Sequence, residues 1–441
     1  MQSAGFLLAR CMREGHMART WVRPSMRHQR SGGSPKAFAN GEVHVPEFKV
    51  SPTTGLDNIA AFTAAHPDEI AEVRQKNQLL RAIVRTLPWP KLRHFEAHGH
   101  NYDLPLRASR VTPAPAIDAT MDSRLRFLAG FFDGDGTVGC QSSLSGCYLQ
   151  VGQSFDRADI LMLLRATFGG SIGLQRNGLG LCKPALQWTL CGQAARRAAS
   201  LLLPHSITKQ QQLLLAAQWP DTKCGREDSK AELRNLKEHD SAVAGPCSWE
   251  YCAGFFDAEG CIKQRNHGAS LQLEIAQKHP QVLMCLRRFL ASTSGISATL
   301  MTTSAAHLLR VYGLQSCKCI LRQMLDAGLL RKAKQAELAL SLAPENATRV
   351  RTELVDLTGN QAFGKKLDLA GQERARRIAS LGKQAITMLK GGKLQMAEAV
   401  LDNLEVLRLE HELLRALHEN EELVRYAGFI RQLHNTGWEG P

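Results

Sequence analysis

Acids are scarce relative to bases in this chain: 41 Asp and Glu stand against 55 Lys and Arg, leaving a formal net charge of +14. That excess favours a polyanionic partner, because each phosphate neutralised by a cation releases condensed counterions. Paired cysteines are absent. The 12 cysteines form no C-x-x-C, and Cys317-Lys318-Cys319, the nearest approach to a cluster, has no matching second pair, which argues against a zinc site. Cys140, Cys252 and Cys285 lie in apolar segments where a reduced thiol behaves as a small hydrophobe, so a reducing compartment is expected. No apolar run approaches the roughly 20 residues that a bilayer-spanning helix needs, and no membrane partner is expected.

At 441 residues the chain exceeds one ordinary core, and about three domains are expected. Residues 1–40 contain Arg10, Arg13, Arg19, Arg23, Arg27 and Arg30 with Glu14 as the sole acid, a bias typical of an organellar transit segment directed to a mitochondrion or plastid. The alternative is a basic arm that touches nucleic acid. Residues 41–118 read as an extension, helical from about 58 to 87 on the stripe Ile70, Val73, Leu79, Leu80 and Ile83. Leu87-Pro88-Trp89-Pro90 ends that helix, and Pro113 and Pro115 mark a boundary near 118. His94, His98 and His100 lack partner ligands at a recognisable spacing and read as part of a polar loop.

The informative feature is an internal repeat. Phe127-Leu128-Ala129-Gly130-Phe131-Phe132-Asp133-Gly134-Asp135-Gly136 returns 124 residues later as Tyr251-Cys252-Ala253-Gly254-Phe255-Phe256-Asp257-Ala258-Glu259-Gly260. Leu149-Gln150-Val151-Gly152-Gln153 returns at the same offset as Leu273-Glu274-Ile275-Ala276-Gln277, and Lys209 returns as Lys332. Each copy reads as helix, two strands, helix, two strands and further helix, an α+β unit. Leu149 and Val151, like Leu271, Leu273 and Ile275, alternate with polar or small residues, the mark of a half-exposed strand. Helices are expected to begin near Arg157 and Gln281, the first stopping at Gly169-Gly170. The repeats occupy 119–220 and 246–345, joined by a charged, solvated linker over 221–245 with at most a short helix. Residues 346–441 form a helical appendage with Ile386, Leu389, Ala397, Val400, Leu401, Leu404, Leu407, Leu413 and Leu417 on one face and a Gly391-Gly392 turn.

Small residues one turn apart, Gly130 with Gly134 and Gly254 with Ala258, allow close approach of a second helix, and the natural partner of each copy is the other. Such packing would bring Asp135 and Glu259 together at the helix ends. Two adjacent carboxylates repel unless cations lie between them, and their oxygens suit hard cations such as Mg²⁺, which can serve phosphodiester hydrolysis. Asp133 and Asp257 are expected to be structural, serving caps near the helix ends.

Over roughly residues 120 to 342, about half of the chain, these motifs resemble the LAGLIDADG homing endonucleases with two motifs in a single chain. The resemblance implies two αββαββα repeats about a pseudo-twofold axis, forming a saddle over double-stranded DNA, and a monomer that suffices for the site. It implies Mg²⁺ or another divalent cation held by Asp135 and Glu259, with the carbonyls of Gly134 and Ala258 as further ligands. The family's polar residue would fall on Gln150 and Glu274, and its basic residue on Lys209 and Lys332. Glu274 departs from the common glutamine and adds a charge, so an asymmetric site is expected. Arg176, Lys183, Lys263, Arg265 and Arg310 lie on or near predicted strands and are candidate DNA contacts. The activity implied is sequence-specific DNA cleavage. The alternative is an intron splicing factor that binds RNA on the same fold, favoured by the presumed transit segment and the helical appendage.

Overall fold

The computed structural model describes residues 67–108, 119–140, 146–245, 247–264, 268–357 and 367–441. The presumed transit segment 1–40, residues 41–66, the Pro113 to Pro115 break and Arg265 lie outside the described residues. Two compact units share the rest. One holds the described parts of Met1–Leu79 and Gly364–Glu422, and the other those of Leu80–Phe363 and Leu423–Pro441.

The second unit contains both repeats. The first runs through helix Ala119–Asp135, strands Gly136–Cys140 and Cys147–Ser154, helix Asp159–Phe168, strands Ser171–Arg176 and Ala185–Cys191, and helix Gly192–Leu202. The second repeats the order as Trp249–Glu259, Gly260–Gln264, Leu271–Gln277, Gln281–Ser294, Thr299–Thr302, His307–Tyr312 and Leu314–Asp326. Each set of four strands forms an antiparallel sheet in the order first, second, fourth, third. The fold is therefore the α+β pair of αββαββα repeats that the sequence pattern implied.

Period-two patterning decides which sheet face is covered. Leu149, Val151, Ile172, Leu186 and Trp188 are buried against helices in the first repeat, as are Leu271, Leu273, Ile275, Leu309 and Val311 in the second. The intervening side chains, Gln150 and Glu274 among them, lie on the opposite face. At the end of helix Asp159–Phe168, Gly169 and Gly170 take φ of 77° and 92°, which explains the stop there.

The segment read as a solvated linker contains a 16-residue helix, Lys223–Glu238. Thr222 caps it by accepting from the Gly225 amide at 3.3 Å, and Leu233 is buried beneath it. The expected polar loop around His94 is a hairpin, with His94–Ala97 antiparallel to His100–Asp103. Phe95 and Ala97 alternate inward, and Phe95 stacks on Tyr102 at 5.4 Å between ring centroids.

In the other unit, helices Leu369–Lys390 and the start of Leu394–Asn435 meet at the glycine turn, where Gly392 has φ 71°. Ala397, Leu404, Leu407 and Leu413 are buried as the apolar face predicts, whereas Ile386 and Leu417 are exposed. Helix Pro67–Thr86 starts in this unit, where Asn77 Nδ2 donates to the Ala416 carbonyl at 2.7 Å and Arg74 pairs with Glu412 at 2.9 Å. The C-terminal stretch is thus shared between units. Residues 423–441 belong with the repeats, and Trp438 packs edge-on to Trp89 and Phe155.

Candidate active site

The two motif helices, Ala119–Asp135 and Trp249–Glu259, pack through their glycines. A Cβ on Gly130 would stand 2.1 Å from the Tyr251 carbonyl oxygen, and one on Gly254 would stand 1.9 Å from that of Phe127. The reciprocal contact is what a pseudo-twofold axis between the helices produces. Farther along, a Cβ on Gly134 would stand 2.3 Å from Ala258 Cβ and 3.1 Å from Glu259 Cγ. The close approach carries Asp135 and Glu259 to the same end of the helix pair.

The helix ends are held from behind by their own repeats. Buried Asp133 accepts from the Ser206 hydroxyl at 2.5 Å, from the amides of Ile207, Thr208 and Lys209 at 2.7 to 3.0 Å, and from the Tyr251 hydroxyl at 2.7 Å. Asp257 accepts from the amides of Leu330, Arg331 and Lys332 at 2.7, 2.9 and 2.9 Å. These aspartates fasten the loops that carry the lysines, a structural part. Tyr251 is in consequence a weaker acid than usual, through burial and the Asp133 charge beside it.

Lys209 Nζ donates to the carbonyls of Phe132, Asp133 and Gly134, with 2.9 Å to Phe132 and 3.2 Å to Gly134. Lys332 Nζ donates to the carbonyls of Phe256, at 2.9 Å, and Asp257. Each ammonium meets the last-turn carbonyls, where the helix dipole is negative. Burial lowers the pKa of both. Lys332, with Arg331 as a neighbouring like charge, falls to about 8, while at Lys209 burial prevails over the opposing influence of Asp133, Asp135 and Glu259.

Asp135 Oδ2 accepts from Gln153 Nε2 at 2.8 Å and from Arg331 Nη1 at 3.2 Å. The structure thus brings Gln153 to the acid and does not bring Gln150 there. Gln150 lies on the outer face of the sheet, 3.4 Å from the Thr189 hydroxyl, whereas Gln153 shares the inner face with Leu149 and Val151. The signal was in the repeat: Gln153 recurs as Gln277, while the Gln150 position changes to Glu274. Glu274 also faces outward and pairs with Lys263 at 2.5 Å and Arg310 at 2.6 Å. Burial alone would raise its carboxyl, but these two cations hold it below the usual range. Its charge is therefore matched within its own sheet.

Arg331 has no charged counterpart in the first repeat. Thr208 occupies the equivalent position, as the matched amide bonds to Asp133 and Asp257 show. Of the other basic candidates, Arg176 is exposed at a strand end, and Lys183 pairs with Asp156 at 2.6 Å.

The donor chemistry suits a hard cation within limits. Two carboxylates lie at one end of the helix pair, but among the described residues no group of three or more His, Cys, Asp or Glu side chains could enclose an ion. Mg²⁺ commonly takes one or two carboxylates and completes its shell with water and substrate phosphates, so the set fits a cation shared with a polyphosphate ligand. The carbonyl of Gly134 already accepts from Lys209, which weakens its expected part as a ligand. Lys209, Lys332 and Arg331 bring positive charge to the same end of the helix pair.

Residues 248–320 match the model of the LAGLIDADG-like domain family. No curated protein matches the chain in sequence. Among solved structures, the LAGLIDADG meganuclease I-AabMI bound to uncleaved DNA is 15% identical with a TM-score of 0.40, covering 52% of this chain and 96% of its own. The homing endonuclease I-LtrWI bound to target DNA is 13% identical at 0.40, with 55% and 98% covered. I-SmaMI bound to an uncleaved DNA target in the presence of calcium is 17% identical at 0.38, with 54% and 98% covered. Residues 248–320 thus carry a LAGLIDADG-like domain, and the first repeat reproduces its motif helix, strand order and terminal acid.

Proposed function

We propose that this chain is a DNA endonuclease of homing type, which binds double-stranded DNA across the outer faces of its two sheets and hydrolyses phosphodiester bonds where the motif helices end. The observation that carries this reading is the glycine-mediated packing that brings Asp135 and Glu259 to one end of the helix pair beside two half-buried lysines. Asp135 and Glu259 would hold Mg²⁺ or another divalent cation. When bound, that cation supplies positive charge to the phosphoryl oxygens and acidifies a water.

The chain's own groups do the positioning. Gln153 fixes the Asp135 carboxylate, and Lys209 and Lys332 hold the helix ends and add positive charge near a scissile phosphate. Arg176, Lys183, Lys263 and Arg310 supply basic groups for the DNA backbone or bases, with the outward Gln150 and Glu274 among them; Arg265 is assigned the same part from its sequence position. One chain carries both motifs, so a monomer suffices. The Arg-rich stretch at 1–40 supports action in a mitochondrion or plastid.

Purified full-length protein incubated with a randomised duplex library and Mg²⁺ tests the reading, with the Asp135→Asn, Glu259→Gln double variant alongside. Metal-dependent strand breaks above those of the variant are expected. Their absence would sink the nuclease reading.

A second reading, an intron splicing factor that binds structured RNA, is favoured by one observation: a guanidinium already neutralises Asp135. Tight binding to intron RNA without DNA cleavage would select it.

A further inference from the structure

The helical unit brings three basic side chains to one spot. Helix Leu369–Lys390 turns back at Gly391-Gly392 into the start of Leu394–Asn435, and a Cβ on Gly382 would stand 4.0 Å from Leu404 Cδ2 across the pair. Two turns farther from the glycines on each helix, the same register sets Arg374 beside His411. Arg415 follows His411 by one turn, on the same face. Arg374 Nε and His411 Nδ1 are both buried without a hydrogen-bond partner among the described residues. Burial first, then the charges of Arg374 and Arg415, hold His411 below the usual histidine range. The two acids that oppose them are engaged elsewhere. Glu412 pairs with Arg74 at 2.9 Å, and Asp368 caps its helix by accepting from the Gly371 amide at 2.7 Å.

We propose that Arg374, His411 and Arg415 form a binding site for a phosphate group, separate from the motif helices and independent of the nuclease reading. Buried donors ordinarily find an acceptor, and an anion that accepts from Arg374 and His411 removes the penalty of leaving both unmet. Both side chains are half-buried, so a rotation of each brings its shielded nitrogen to a ligand. Phosphate suits the set better than carboxylate. Its oxygens point in several directions and can accept from two guanidinium groups and an imidazole at once. Charge on the rest of the helix agrees: Leu369–Lys390 carries Arg374, Arg376, Arg377, Lys383 and Lys390 against Glu373 alone, which draws a polyanion towards it.

Hydrogen–deuterium exchange at the histidine ring carbon, read by mass spectrometry across pH on the full-length protein, follows His411 separately from the other histidines. Inorganic phosphate, compared with chloride at equal ionic strength, should raise the His411 midpoint by at least about half a pH unit, because a bound anion favours the protonated ring. Arg374→Gln and Arg415→Gln should each remove most of that rise, and a rise of full size in either folded variant overturns the proposal. Thermal unfolding shows which variants are folded, and Arg415→Gln, at an exposed position, decides the matter if Arg374→Gln is not. In chloride, Arg374→Gln should itself raise the midpoint, since a neighbouring like charge has gone. An unchanged midpoint there would show that the groups are not neighbours and overturn the site.

A duplex of arbitrary sequence in place of inorganic phosphate separates the two sources of the group. A rise with the duplex assigns the site to a backbone phosphate. A rise with inorganic phosphate and none with the duplex assigns it to a free one. No rise with either probe overturns the proposal.

Discussion

The Tyr251 hydroxyl of the second motif helix donates to Asp133 Oδ2 of the first at 2.7 Å, a buried bond from one repeat to the other. Asp133 has five donors around it, three of them amides of the loop that carries Lys209. Tyr251→Phe should lower stability by about 1–2 kcal/mol, since it removes one donor and leaves the carboxylate otherwise satisfied. Asp133→Ala should cost at least about 4 kcal/mol, because several buried donors lose their acceptor together. Urea unfolding of the two variants checks the order.

Gly130→Ala and Gly254→Ala should each destabilise the protein by about 3 kcal/mol, although alanine is the better helix former by ~1 kcal/mol. The atoms in the way are backbone carbonyls of Tyr251 and Phe127, which cannot rotate aside as a side chain can. Thermal unfolding is the measurement, and unchanged midpoints would show that the helices do not touch there.

Lys332 has a pKa lowered from 10.5 to about 8, through burial first and the Arg331 charge second. Between those two values the unfolded chain keeps the proton that the folded chain has released. Stability from this group therefore rises as pH rises from about 8 towards 10.5. Lys332→Met should flatten that part of the curve, read as the difference between variant and parent in denaturant unfolding at a series of pH values. Arg331→Thr should shift the start of the rise to higher pH.

Glu274 holds Lys263 and Arg310 in ion pairs on the outer sheet face. Glu274→Gln should release both, increase affinity for duplex DNA and steepen the decline of log K with log salt by about one to two. Fluorescence anisotropy between low and moderate salt measures the slope. An unchanged slope would mean that this face does not meet phosphate.

Much of the fold was legible before any coordinates. The ten-residue motif and its return at a constant offset fixed two copies of one unit, and alternation in Leu149, Val151, Leu273 and Ile275 gave their strands and covered faces. The 223–238 helix was less legible, because charged residues dominate it and Leu233 is its main buried apolar anchor. The hairpin at His94 was hidden in the same way: two inward residues make too short a period to read.

The candidate site divides along the same line. Sequence by itself determined which acids end the motif helices, and that glycines would let those helices meet, since both follow from local spacing and side-chain size. Only the tertiary structure decided what surrounds the acids. Gln153 reaches Asp135 and Gln150 does not, because their odd spacing along one strand sends the two side chains to opposite faces. Arg331 reaches Asp135 from 196 residues away in the chain, across the helix pair, and no local pattern encodes a contact between a loop of one repeat and the helix end of the other.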